Sequence, residues 1–345
     1  MRVGMPLQYA GDVVSAANQV AAFEQAGLDV VWVAEAYGFD GVSLMGYLAA
    51  VTDNVHIGSG ILNVYSRTPA LMAQVTAGLD AVSSGRFELG LGASGPQVIE
   101  GWHGLAYDRP LARTRELVEL VRRMLRREVI EHHGDVFTLP LPGDEGTGLG
   151  KPLKMLTHPV RDAVPIHVAA LGSKNVEMTA EIADGWMPIF WAPEHADSLY
   201  GDALGAGKAK RSDELGDLDI ITGGLLGIAP DEQTKNALLD FVRPMYALYI
   251  GGMGAKGKNF YNTLVTNMGW GEQAERIQDL YLDGKKDEAA ALVPYELLDQ
   301  TNIVGDEGFV KERIAAFADS GVTTLNVTII GDGPKVLDQV RPWIS

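Results

Sequence analysis

Polar side chains and glycines gather in this 345-residue chain wherever an apolar run ends. Glu35, Tyr37 and Asp40 follow "LDVVWV"; Asn63, Tyr65, Ser66 and Arg67 follow "HIGSGIL". "GASGPQ" (Gly92–Gln97) and then "EGWHG" follow "RFELGL", "AALGSKN" (Ala169–Asn175) follows "VPIHV", and Phe190 and Trp191 end "WMPIFW". Carboxylate, imidazole and phenol groups can move protons, and glycines let a ligand come close to the backbone. Glu35 is the leading carboxylate, either as an acid–base group or as the partner of a nearby cation such as Arg67. His103 is the leading proton donor by residue type, with a structural role as its alternative. Gly172 and Ser173 stand between an apolar run and a helical one, so their N–H groups offer a seat for phosphate, with Lys174 adding charge. The competing assignment makes Ser173 an ordinary N-cap.

Two patterns carry less than they promise. "GLGASG" (Gly90–Gly95) fits G-x-G-x-x-G, but Pro96 follows it and the next helix is expected only near Pro110, so the dinucleotide-binding assignment is set aside. Ser94, Gly95, Pro96 and Gln97 read instead as a strand end where a flat ligand or another backbone comes close. His132 and His133 sit in a Pro- and Gly-rich stretch without ligand spacing and read as solvated surface. No metal centre is expected.

The elements that must position these groups alternate. Apolar runs near residues 2–7, 28–35, 55–62, 86–92, 164–170, 186–191, 218–229 and 323–331 are each followed by a helical pattern or an insertion. Pro69 starts one helix, and Gly27 and Gly85 stop two others. Eight strands at this spacing, linked by right-handed crossovers, predict a (β/α)8 TIM barrel, whose functional residues lie at the C-terminal ends of the strands. The whole chain, 1–345, is expected to be one barrel domain. Residues 130–163 form a surface excursion, and 231–320 a helical insertion covering the mouth, with Tyr249, Phe260 and Trp270 as its lining candidates.

Composition is that of a globular protein, 46% hydrophobic and 21% charged. A formal net charge of −17 repels nucleic acid and anionic membranes. Without cysteine there is no disulfide, thiol nucleophile or thiolate metal site. No apolar run reaches membrane-spanning length and no signal peptide is seen, so a cytoplasmic location is expected.

In the order of its motifs the chain resembles the bacterial luciferase-like superfamily of flavin- and deazaflavin-dependent barrel enzymes, and within it the coenzyme F420-dependent oxidoreductases. The likeness runs through "RVGMPL", "VVWVAEAYGFD", "IGSGILNVYSRTPALMAQVTAGLDAVSSGRFELGLGASGPQVIEGWHG", "PLARTRELVELVRRML" and "VPIHVAALGSKNVEMTAEIADGW". It implies hydride transfer between F420 and a small organic substrate in a homodimer. FMN-dependent monooxygenation and a non-catalytic F420-binding protein are the alternatives. It further implies a cis peptide at Gly60–Ile61 supporting the cofactor ring. Asn63, Ser94, Gly95, Pro96 and Gln97 would lie around that ring. Ala169, Ala170, Leu171, Gly172, Ser173 and Asn175 would lie toward the cofactor phosphate. Sugar-phosphate and alcohol dehydrogenases of the family carry a histidine after the acidic residue of strand 2 and a glutamate after the strand 4 glycines. Here those places read Glu35–Ala36 and "SGPQ", so a sugar-phosphate substrate is not expected. Glu35, Tyr65 and His103 stand as catalytic candidates, with Tyr37 as a further substitute.

Overall fold

The computed structural model describes residues 1–7 and 11–344. Eight parallel strands close on themselves: β1 Arg2–Pro6, β2 Val30–Val33, β3 His56–Ser59 (resuming at Leu62–Asn63), β4 Phe87–Gly92, β5 Ile166–Val168, β6 Gly185–Trp186, β7 Asp219–Thr222 and β8 Thr324–Asn326. β8 pairs with both β7 and β1, at Thr324↔Ile221 and Arg2↔Thr324, so no barrel edge is left unpaired. Around them run α1 Val13–Gln25, α2 Gly41–Val51, α3 Pro69–Val82, α4 Pro96–Gly101, α5 Pro110–Leu125, α6 Ser173–Ile182, α7 Ala196–Lys208, α8 Glu307–Asp319 and α9 Gly333–Val340. Local chemistry sets several starts. Asp12, Asp40 and Asp306 cap the N–H groups of Ser15, Ser43 and Phe309, and Thr68 caps Leu71 ahead of Pro69.

The structure departs from the sequence reading in four places. α4 begins at Pro96 itself, with Gly95 as N-cap, where no helix was expected before Pro110. Its proline occupies a first-turn position that needs no N–H. The sixth run is a strand only over Gly185–Trp186: Pro188 has no N–H to continue the ladder, and Phe190 then turns away at φ +55°. The seventh and eighth runs each break after leaving the barrel. Leu225–Ile228 and Thr328–Ile329 join Ile303–Gly305 in a separate three-stranded parallel sheet. Gly224 permits the first break, since a Cβ there would lie 2.3 Å from the Thr301 carbonyl oxygen. Finally, His132 and His133 form a short antiparallel ribbon with Thr138–Leu139. His132 is not simply solvated, for its Nε2 lies 3.1 Å from the Glu116 carboxylate.

The barrel interior is layered. At the N-terminal ends of the strands Glu88 meets Arg2, His56 and His167. Above that lies Trp32 with Val30, Ile221 and Met187. Residues 232–301 supply further helices, tied to the barrel by Tyr246, which stacks on Phe190 after β6 (4.3 Å) and is fixed in place by Thr301 Oγ1 and the Asn302 Nδ2 donor.

Candidate active site

The opened strand β3 defines the site. Its register with β4 is Gly58↔Glu88 below and Leu62↔Leu91 above, so Ser59, Gly60 and Ile61 face only Leu89 and Gly90, a one-residue bulge. Ser59 replaces the missing ladder bonds: its Oγ donates to the Gly90 carbonyl (2.8 Å) and accepts from the Gly90 N–H (2.7 Å). Gly90 must be glycine, because a Cβ would lie 1.8 Å from the Ser59 oxygen. The Gly60–Ile61 peptide is cis, as the resemblance implied. Gly58 and Gly60 have ordinary φ values; what they make room for is Trp32. A Cβ on Gly58, its register partner, would lie 2.2 Å from the indole. A large aromatic opposite a strand glycine was the signal for this, and sequence reading passed over Trp32.

Above the bulge, Ile61 projects over Gly92, whose Cβ would meet Ile61 Cδ1 at 1.8 Å and Ala169 Cβ at 3.6 Å. Ile61, Gly92 and Ala169 form a small apolar platform, with Met187 against Gly60 below. Asn63 Oδ1 accepts the Tyr65 N–H (2.8 Å), and its Nδ2 has no partner among the described residues. Ser94 adopts φ +57° at the rim, a conformation uncommon for non-glycine residues and frequent at functional turns. Gly95, Pro96 and Gln97 follow it into α4 at the surface.

At the next turn Gly172, not Ser173, is the N-cap of α6; Ser173 is the first helical residue. A glycine cap has no side chain to satisfy the first turn, and only the Asn175 and Val176 N–H groups return to the Gly172 carbonyl. The N–H groups of Ser173 and Lys174 face solvent without a partner among the described residues, at the positive end of the dipole. Asn175 Oδ1 is buried and unpartnered. Leu171 is half-buried. Ala170 turns into the core, and its carbonyl accepts from Trp186 Nε1, so it offers the mouth no group.

The catalytic candidates separate. Glu35 is clamped bidentately by Arg67 (2.6 and 2.7 Å) and accepts the Gly41 N–H at the start of α2, both side chains being 11% exposed. Burial opposes its ionisation, but the Arg67 hydrogen bonds, the Gly41 N–H and the Arg67 charge prevail and hold it below the usual carboxylate range. It is the partner of Arg67, the alternative assignment made for it. Tyr65 is buried and donates to the Asp108 carbonyl (2.8 Å). It stacks on Tyr107 and lies beneath Arg113; burial and the neighbouring Tyr107 push its phenol up to about 12. Its phenol and ring are thus engaged by the 102–109 segment at the rim. His103, just past α4, keeps a half-exposed ring with no side-chain partner among the described residues.

The lining candidates Tyr249 and Phe260, with Phe190 and with Tyr246 and Tyr261, which sequence reading left unassigned, complete the wall. Phe190 stacks on Tyr246 (4.3 Å) and meets Tyr249 and Tyr261 edge-on, and Phe260 lies over Gly172. Trp270 packs half-buried against the core.

A closed parallel barrel with a bulged third strand, an apolar platform and free helix amides at its C-terminal mouth defines a class of barrel enzymes that bind a flat cofactor. The chain belongs to the luciferase-like monooxygenase family, whose model matches residues 1–324. It is 40% identical over 345 residues to the Mycobacterium tuberculosis protein named "Putative coenzyme F420-dependent oxidoreductase Rv3520c", covering 98% of this chain and 97% of that one. Its fold is that of the coenzyme F420-dependent tetrahydromethanopterin reductase of Methanopyrus kandleri (TM-score 0.79, 20% identity, 98% and 96% of the two chains). An F420-dependent secondary alcohol dehydrogenase bound to an F420–acetone adduct is also similar (TM-score 0.76, 18% identity, 100% and 99%). Among the described residues no helix is long and apolar enough to cross a membrane.

Proposed function

We propose that the chain is an F420-dependent oxidoreductase acting on a small organic substrate. The observation that carries this is the pairing of an apolar platform (Ile61, Gly92, Ala169) with the unpartnered Ser173 and Lys174 amides, one suited to a flat ring and the other to a phosphate. The 40% identity to a protein of that name supports the choice of deazaflavin. Bound here, F420 supplies the carbon that gives or takes the hydride. The protein's part is orientation, proton supply and exclusion of water.

Ile61 and Ala169 would support one face of the ring and leave the other to substrate. Gly92 keeps that face flat, because any side chain there would displace Ile61. Asn63 Nδ2 and the turn at Ser94, Gly95, Pro96 and Gln97 would hold its polar edge, and Asn175 would lie toward the phosphate end. His103 is the proton donor. Glu35 and Arg67 lock the turns after β2 and β3 in register. Residues 232–301 roof the mouth and limit water; 303–319, expected within the insertion, instead form a strand and α8 beside the barrel, and 130–163 stays outside the mouth. The same reading makes the protein a cytoplasmic homodimer, which sedimentation at several concentrations tests.

Titration of the purified chain with F420 and, separately, FMN is the direct test. Saturable quenching of F420 fluorescence without saturable FMN binding is the expected result. FMN binding alone sinks the proposal, and F420 binding without hydride exchange across a broad panel of carbonyls and activated alkenes would reduce the protein to a carrier.

A further inference from the structure

Charge is spread unevenly over the helices around the barrel. Each of α5 to α9 carries between two and six ionisable side chains, as a surface in water ordinarily does. α1, α2 and α3 together hold two, Glu24 and Asp80, and both are engaged. Glu24 accepts the N–H groups of Asp53 and Val55 ahead of β3, and Asp80 is fully buried against Arg161. The three helices are consecutive around the barrel, with α2 packed on both α1 and α3. They make a continuous uncharged wall on a chain whose net charge is −17.

Apolar groups stand out of this wall. Leu71 is 45% exposed and Val82 62%, and Tyr47 is held across α1 and α2 by its hydroxyl, which donates to Asn18 Oδ1 (2.8 Å). The wall is also notched. Gly46 lies in the middle of α2 and Gly78 within α3, and a Cβ added at either would meet nothing within 4 Å. Neither has a positive φ. Glycine inside a helix is destabilising relative to alanine, and no neighbour in this chain requires it at these two places. Close approach by a second backbone is the physical reason that remains.

We infer that this wall is the contact surface of a homodimer, two copies meeting face to face through α2 and α3 with α1 at the flank. The inference rests on the homodimer proposed above and supplies its surface; it does not need the cofactor assignment. Charge favours a second copy as the occupant. Two bodies of net charge −17 repel each other, and a wall without charge is where they can touch at least cost. Shape favours it too. The protruding Tyr47 and Leu71 and the notches at Gly46 and Gly78 belong to one face, so each copy brings both halves of a two-fold contact. Size agrees. Helices about 10 Å across, rising about 1.5 Å per residue, make α1 to α3 a wall roughly 30 by 20 Å. Its relief brings the accessible area near the roughly 800 Å² per partner that a specific dimer buries.

Sedimentation over a broad concentration range tests the surface. Wild type should be a dimer. Gly78→Glu sets like charges in the contact and should raise the dissociation constant at least about thirtyfold. Gly46→Ala combined with Gly78→Ala fills the notches while favouring the helix. It should raise the dissociation constant about tenfold with the helical circular dichroism retained. Phe241→Glu, at an exposed apolar position of the insertion, should leave association unchanged. A wild-type dimer indifferent to both glycine variants overturns this surface and leaves the homodimer standing. Alanines that only stabilise the fold, with association unchanged, do the same. A wild type that stays monomeric at every concentration overturns surface and homodimer together and leaves the wall to a different protein. F420 quenching, read on the same samples, tests the cofactor assignment separately.

Discussion

The two ends of the barrel treat a carboxylate in opposite company. At the N-terminal end Glu88, with a 2% exposed side chain, accepts from Arg2 (2.5 Å) and lies 2.8 Å from His56 and 2.9 Å from His167. Arg2 reaches on toward Asp219, which in turn accepts from Thr324. At the C-terminal end Glu35 is paired with Arg67, but around it lie unpartnered amides, a buried unpartnered Asn175 oxygen and exposed aromatic rings. One end surrounds its carboxylate with three cationic or hydrogen-bonding partners, although His167 Nδ1 stays buried without one, and holds the shape. The other leaves bonds and apolar area open for something outside the chain.

Breaking the closed end should have the largest effect. Burial opposes ionisation of Glu88, yet His167, His56 and Arg2 hold its carboxyl well below the ordinary value of 4.5. Removing one member of a buried charge cluster costs roughly 3–5 kcal/mol, so Glu88→Gln should lower the urea midpoint sharply. The pH dependence has a definite sign. The unfolded chain binds the Glu88 proton more readily than the folded one, so this stabilisation is complete above the ordinary carboxylate range. It is lost as pH falls below it toward the folded value. Wild type should therefore lose stability in acid more steeply than Glu88→Gln; identical acid limbs would show that the cluster does not act this way.

The bulge joins the two ends, and its variants should have intermediate effects. Ser59→Ala strands both the N–H and the carbonyl of Gly90 inside the barrel, which should cost about 1–3 kcal/mol in thermal or urea unfolding. Gly92→Ala should separate shape from stability. Its new Cβ meets the flexible end of Ile61, which can rotate away, so unfolding should change little. F420 affinity should drop about tenfold, near 1.4 kcal/mol, as the platform roughens. Equal losses in both measurements would mean that Gly92 serves the fold and not the ligand.

The same contrast explains what was legible in the sequence. Strand order, barrel closure and the strand-end position of the site follow from local periodicity, so eight runs sufficed. Partners followed only where types suggested them: Glu35 with Arg67 was foreseen as an alternative, and the structure makes that pair. Contacts between distant strands carried no local mark. Glu88 reads as an oddity inside "RFELGLG" until β1, β3 and β5 bring Arg2, His56 and His167 to it. Tyr65 looked like a mouth residue because it follows a strand, but the 102–109 loop folds over it. The start of α4 was missed because the proline after "GASG" was taken as a break, though proline is equally at home in a first turn.

The mildest test touches the open end where its charge is most exposed. Lys174 is the second residue of α6, beside the two free amides, and it forms no ion pair among the described residues. A solvent-exposed cation near a bound phosphate contributes modestly, since water and salt screen it. Lys174→Ala should leave unfolding unchanged and weaken F420 binding by about two- to fivefold, corresponding to roughly 0.4–1 kcal/mol at low salt. Most of that difference should vanish near 1 M salt, where the screening length is about 3 Å. The amides of Ser173 and Lys174 survive the substitution, so binding should persist. If Lys174→Ala abolished binding altogether, the phosphate would be held by the side chain and not by the helix terminus.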